Sequence, residues 1–278
     1  EQITPTAWAR AESRLSEWIE TRIAHVLKPL FELQAAQTAE GEAALPSQAR
    51  GFAFRLSETM GALDRESVRT EAEKLPPADR AALRKLGVKF ARFSIFMPAL
   101  LKPEAARLMG LLTAVKSGLQ PLPRLPNAGL TSVVADPAVP VPIYGAAGYR
   151  VLGPRAVRLD MLERLGDTIE AKRGEDKKLP PFAISPDMLS LLGCSVDEMT
   201  GVLKALNFKP EGAKSETGAD ILLWRPRRRH EGERTQHAPR RPVAATEGAA
   251  DNADGQQRRD RDRRPRRGKP SHRRPEGA

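Results

Sequence analysis

Apolar positions near the start of the chain recur with a helical period. Trp8, Leu15, Trp18, Ile19, Ile23, Val26, Leu27, Leu30 and Phe31 follow at spacings that hold them to one face. Thr4-Pro5 supplies a capping residue and a proline at the first helical position. The pattern predicts one long amphipathic helix, kinked at Pro29. Residues 46–63 predict a second helix, with Ala49, Phe52, Leu56, Met60 and Leu63 on its apolar face. Asp64 is placed to cap a third, which carries Val68 and Leu75 inward and stops at Pro76-Pro77. A fourth, over 78–86, ends at Gly87.

The period then changes. In GVKFARFSIFMPALLKPE (87–104), Val88 and Phe90 alternate with Lys89, and Phe93, Ile95 and Met97 alternate with their neighbours, which predicts short strands. The apolar run is about half the roughly 18 residues a membrane helix needs, so it is read as a buried crossing segment, not an anchor. Pro103 starts a further helix with Leu108, Leu111, Leu112 and Val115 inward and Gly118 closing it. The proline-rich stretch 119–143 predicts an extended connector or wrapping loop.

Beyond it the order of elements is informative. Gly148–Leu152 and Ala156–Arg158 predict a hairpin about Gly153-Pro154, and a helix follows from about Leu159 to Ala171. Phe182–Ile184 reads as a short strand and 186–192 as a helix capped by Ser185. Ser195 with Glu198 forms a capping box for a helix over 195–206. Asn207–Lys209 and Ile221–Trp224 read as paired strands. Helix, strand, helix, helix, strand, strand is the winged-helix order, with a helix-turn-helix about Gly193-Cys194-Ser195. The expected fold class is mostly α with short β hairpins. A helical bundle (1–118) leads through a Pro-rich connector (119–147) to a winged-helix-like unit (148–225) and a disordered Arg-rich tail (226–278).

Charge sharpens the division. The chain of 278 residues carries +11, of which the segment from Arg225 onward supplies +9, so the first 224 residues are nearly neutral. After Trp224 there is no Phe, Tyr, Trp, Ile, Leu or Met, so this segment cannot bury enough apolar area to offset its ordering entropy. Its guanidiniums are closely spaced: Arg225, Arg227, Arg228 and Arg229, then Arg240 and Arg241, then Arg258, Arg259, Arg263, Arg264, Arg266 and Arg267. Guanidinium forks bind phosphate bidentately and stack on bases, so RNA is the expected partner, bound mainly through counterion release. The bland counterpart is a tail that only solubilises.

Other chemistry is sparse. Neither G-x-x-x-x-G-K-[ST] nor G-x-G-x-x-G occurs, nor H-E-x-x-H, nor a metal-spaced His/Cys set. His25, the only histidine before the tail, has Thr21 and Pro29 as helical neighbours and no catalytic partner. Cys194 precedes a helix N-terminus, a position that lowers a thiol pKa, but packing in the turn is the preferred reading. The acidic pairs Asp160/Glu163 and Asp197/Glu198 fit helix first turns without catalysis. SVDEMTGVLKAL offers Lys204 and two acids where a DNA-reading helix presents Arg, Lys, Asn or Gln, which favours a packing or protein-binding module. No signal peptide is evident, and the expected location is cytoplasmic. A start at Glu1 in place of Met predicts a fragment or processed product.

Three blocks carry a family resemblance: LGVKFARFSIFMPALLKPEAARL (86–108), GYRVLGPRAVRLDMLERLGDTI (148–169) and MLSLLGCSVDEMTGVLKALNF (188–208). Together with the Arg/Pro-rich tail they resemble the region that follows the helicase core in bacterial, mostly alphaproteobacterial, relatives of the mitochondrial degradosome RNA helicase. Those are ATP-dependent DExH enzymes of helicase superfamily 2. The resemblance implies RecA-like lobes elsewhere in the parent, where ATP and Mg bind, and a C-terminal region that packs on those lobes in cis and helps enclose the exiting strand. With no Walker A loop, DExH box or arginine finger, no catalytic residue carries over, and no cofactor is expected in this chain. The expectation is a non-catalytic, RNA-binding accessory region. The alternative is an adaptor that docks a ribonuclease or the ribosome. Within 87–104, Lys89, Arg92 and Lys102 are the candidates for phosphate contact.

Overall fold

Thr4 caps the first helix as its sequence requires, its hydroxyl accepting from the Ala7 amide at 3.4 Å. The computed structural model describes residues 4–41, 44–127, 129–173, 179–214 and 220–226. All of these belong to one compact unit. It is mostly α, with antiparallel sheets of two or three short strands.

The predicted long helix is two helices, α1 (Pro5–Val26) and α2 (Lys28–Thr38). The break falls at Leu27, two residues before Pro29, which lies in the first turn of α2. A proline there cannot donate to the carbonyl four residues back and its ring crowds that carbonyl, so the helix restarts. α3 (Ser47–Glu58) ends earlier than the apolar period suggests. Met60 (φ 57°) and Gly61 (φ 82°) adopt left-handed backbone and reverse the chain into β1 (Ala62–Asp64), which takes Leu63 into a strand. A side chain at Gly61 would meet Leu100 at 2.4 Å. Asp64 is a strand residue, not a helix cap; its carboxylate accepts from the Glu66 amide at 3.1 Å, and α4 (Arg69–Lys74) starts later. α5 (Pro77–Lys85) follows.

The apolar stretch forms β2 (Lys89–Phe90), β3 (Ser94–Phe96), a 3-10 turn (Pro98–Leu101) and α6 (Pro103–Lys116). β3 is the central strand of a three-stranded sheet in order β1-β3-β2. All three of its residues are buried. Ile95, Met97 and Leu100 join Leu30, Leu33, Phe52, Leu56, Leu83 and Met109 in the first apolar cluster. α6 buries the expected face in part: Leu108 and Leu112 are half-buried against the first apolar cluster. Ala105, Met109, Gly110 and Ala114 point inward, while Leu111 and Val115 are exposed. Small residues take the innermost positions where Leu125 and Ala147 approach closely: a side chain on Gly110 would meet them at 3.0 and 3.3 Å.

The Pro-rich stretch is not wholly extended. It contributes β4 (Ser132–Val134), and Pro142 lies in the first turn of α7 (Val141–Ala146). β4 pairs with β6 (Arg155–Arg158), which pairs with β5 (Tyr149–Leu152) across the Gly153-Pro154 turn. α8 (Leu159–Glu170), α9 (Pro186–Leu192) and α10 (Val196–Ala205) pack around Leu162, Leu165, Met188, Met199, Val202 and Trp224. β7 (Phe208–Lys214) and β8 (Asp220–Pro226) close the described chain as an antiparallel hairpin. Phe182 adds one bridge to this hairpin, exchanging both backbone hydrogen bonds with Trp224 at 3.0 and 2.7 Å. Among the described residues no helix is long and apolar enough to cross a membrane.

Candidate nucleic-acid interface

The hairpin that leads into the Arg-rich segment is fixed by one large side chain. Trp224 is fully buried, while Phe182 and Phe208 meet edge to face at 5.6 Å between ring centres. Strand alternation then turns the next residue, Arg225, outward. Its direct cross-strand neighbour is Lys209, so two cations share the outer face of the hairpin. Glu211, diagonally placed, pairs with Arg225 at 3.2 Å. Both partners are substantially exposed, so this pair orients the guanidinium more than it holds the fold.

Arg225 is thus the one proposed RNA-contacting arginine whose surroundings are defined. Arg227, Arg228, Arg229, Arg240, Arg241, Arg258, Arg259, Arg263, Arg264, Arg266 and Arg267 lie outside the described residues. Lys209 was not among the expected contacts, since its place beside Arg225 follows from strand register and not from local composition.

A second cluster of charge surrounds the loop Ala91–Phe93 between β2 and β3. The Glu163 carboxylate on α8 accepts from the Arg92 amide at 2.7 Å and the Phe93 amide at 3.1 Å. Arg65 donates to the Ala91 carbonyl at 2.7 Å, and Arg150 donates to the Phe93 carbonyl at 3.2 Å and to Asp64 at 2.7 Å. Arg92 pairs with Glu170 at 2.8 Å. The Arg92 and Phe93 amides and the Ala91 and Phe93 carbonyls thus each have a charged partner. Phe93 packs into the C-terminal apolar cluster, against Gly166, where a side chain would meet its ring at 2.7 Å. Burial pushes the Glu163 carboxyl above the usual range, against the pull of the backbone amides it accepts from. This carboxylate was expected only to favour a helix dipole. Its reach across 71 positions to Arg92 has no local signal.

Of the three candidate cations in 87–104, Arg92 is thus engaged with Glu170, and Lys89 lies 6.0 Å from the centre of the Phe96 ring. Lys102 is exposed at the start of α6. A third network is buried. Arg155 donates to the Ser132 hydroxyl at 2.7 and 2.9 Å and to Glu198 at 2.9 Å, and Ser132 donates to the Leu192 carbonyl at 2.5 Å. The Ser195 amide, and after it Arg155, hold the Glu198 carboxyl below the usual range. Cys194 lies beside this network, and burial pushes its thiol up, the opposite of what its place before a helix suggests. Among the described residues no group of three or more His, Cys, Asp or Glu is placed to hold a metal ion. The Glu163 and Arg155 clusters each join separate elements of the fold, whereas Lys209 and Arg225 sit side by side on the hairpin. Compared with known proteins, the chain matches no family model, no curated protein and no solved structure.

Proposed function

We propose that this chain binds RNA, as the non-catalytic C-terminal accessory region of an ATP-dependent RNA helicase. The observation that carries the reading is the charge asymmetry: +9 of the net +11 follows Trp224, and the body before it is nearly neutral. In this reading α8 to β8, with the Phe182 bridge, are a winged-helix-like unit. It presents Lys209 and Arg225 where a disordered, Arg-rich tail begins. The tail supplies phosphate contacts, and the body is the scaffold that packs on helicase lobes in cis. ATP and Mg belong to those lobes, and the setting is cytoplasmic. The resemblance of residues 86–108, 148–169 and 188–208 to the degradosome-type helicase region supports the same assignment.

The test compares the full chain with one ending at Pro226, using labelled single-stranded RNA over a salt series. The full chain should lose about two orders of magnitude or more in affinity between 50 and 200 mM salt, and the shortened one should bind weakly with a flat slope. Equal affinity and equal slope for both would sink the tail's role. A second reading draws on α10, whose first turn offers Asp197 and Glu198 and no base-reading side chain. In it the body is an adaptor for a ribonuclease or the ribosome, and the tail only solubilises. Partner capture that persists in the chain ending at Pro226, without RNA binding by either chain, favours this adaptor.

A further inference from the structure

The stretch from Arg80 to Pro103 holds six bases, Arg80, Arg84, Lys85, Lys89, Arg92 and Lys102, and no acid. Two of them are engaged within the fold. Arg80 donates to the Ala72 and Glu73 carbonyls at 2.7 and 3.2 Å, and Arg92 pairs with Glu170. Arg84, Lys85 and Lys89 are exposed, and among the described residues none of them has an ion pair or a hydrogen-bonded acceptor. The surrounding acids do not offset them. Asp79 is buried and accepts from the Ala49 amide at 3.1 Å, while Glu71 and Glu73 pair with Arg55 and Arg69. α3, which packs on α5, has one acid, Glu58, at its last position, and β3, beside Lys89, has none.

Cations in the last turn of a helix commonly serve its carbonyls and its dipole. At the end of α5 the backbone already serves the carbonyls. The Gly87 amide donates to the Arg84 carbonyl at 2.9 Å and the Val88 amide to the Leu83 carbonyl at 3.1 Å, with Gly87 in the left-handed region (φ 83°). Lys89 lies beyond the helix, on β2, where the dipole does not account for it. The Arg84 guanidinium sits over the Phe90 ring, 5.8 Å from its centre, and that ring stacks on Phe52 at 5.8 Å. A guanidinium backed by a ring keeps its N–H edges for a ligand and has less freedom to lose on binding. An exposed guanidinium also stacks on an unpaired base, so a single-stranded phosphate chain matches this corner best.

We propose that the corner formed by the end of α5 and β2 is a second contact for single-stranded RNA, with Arg84, Lys85 and Lys89 meeting its phosphates. This rests on the RNA-binding reading above and adds a surface in the body that the Arg-rich segment does not supply.

The test uses the full chain and a fluorescein-labelled oligouridylate, with anisotropy read between about 50 and 200 mM salt. Replacing Arg84, Lys85 and Lys89 together by Gln should weaken binding about tenfold at the low-salt end. It should also lower the slope of log affinity against log salt by about 2, since each phosphate contact on a single strand carries about 0.7. Replacing Arg107, Lys116 and Arg124 by Gln removes the same charge from other exposed positions and should change neither. Arg84→Lys keeps the charge but gives up the planar fork, so it should weaken binding about threefold. All these side chains are exposed, so the thermal midpoint should stay close to that of the wild type. Photo-cross-linking with 4-thiouridine in the same RNA should label the segment 84–92. Unchanged affinity and slope in the first triple variant overturn the corner and leave the role of the Arg-rich segment intact, and cross-links found only beyond Trp224 do the same. Equal losses in the two triple variants show a response to net charge alone and overturn it. Normal RNA binding by the first triple variant, with lost capture of the helicase lobes, assigns the corner to a protein partner and overturns it. No RNA binding by the wild type overturns this contact and the RNA-binding reading together.

Discussion

Glu163 shows how much one side chain can hold. Its carboxylate is buried, yet it answers two backbone amides of a loop 71 and 70 positions away. Removing it leaves those amides without a partner in a place water reaches poorly. Glu163→Ala is expected to destabilise the fold by about 2 kcal/mol in denaturant unfolding, and Glu163→Gln, which keeps one acceptor, by less. The pH dependence separates this carboxyl from Glu198. Burial raises the Glu163 pKa, so its contribution is fully present below the unfolded value and is lost as pH rises through the folded one. The Ser195 amide and Arg155 lower the Glu198 pKa, so its contribution is present above the unfolded value and is lost as pH falls through the folded one. The stability gap between wild type and Glu163→Gln should therefore narrow as pH rises across the carboxylate range. For Glu198→Gln it should narrow as pH falls. Parallel slopes would show that one of these environments is misassigned.

At the scale of elements, α10 is held at its start by a complete capping box. The Glu198 amide donates to the Ser195 hydroxyl at 3.3 Å, and the Ser195 amide donates to the Glu198 carboxylate at 2.8 Å. Ser195→Ala should cost about 1 kcal/mol in thermal or denaturant unfolding. This box could be read directly from sequence, because both partners lie within one turn. The same holds for the proline-started helices α1 and α6 and for the hairpin at Gly153-Pro154. What escaped was anything decided by a distant neighbour. The period through Met60 and Leu63 fits a helix as well as a chain reversal. Only the packing of Leu100 against Gly61 selects the reversal. On α6 Leu108 and Leu112 pack inward as their period suggests, but Leu111 and Val115 do not. Small residues take the innermost positions where Leu125 and Ala147 approach Gly110, and Leu111 and Val115 stay in water. In α1 the apolar stripe is real, but sequence carries no mark that says whether the body or solvent meets it.

At the scale of the whole molecule, three apolar clusters form across the described residues, and the loop Ala91–Phe93 ties the N-terminal one to the C-terminal one. Phe93 belongs in sequence to the N-terminal half and packs with the C-terminal cluster. The candidate interface was legible in the same uneven way. Arg225 stands out in a basic run, but its partner across the hairpin, Lys209, is set by register, and the arginines and carboxylates that grip Ala91–Phe93 come from α8, β5 and the turn after β1.

That grip also sets an order of events in folding. The bonds from Glu163 to Arg92 and Phe93 and from Arg150 to Asp64 close chain separations of 71, 70 and 86 residues, whereas hairpins and capped helices close within a few. Long closures carry the larger entropy penalty and come late. A substitution at Glu163 is therefore expected to leave the refolding rate almost unchanged and to place its effect on unfolding, so that in stopped-flow kinetics the loop acts as the latch that opens first.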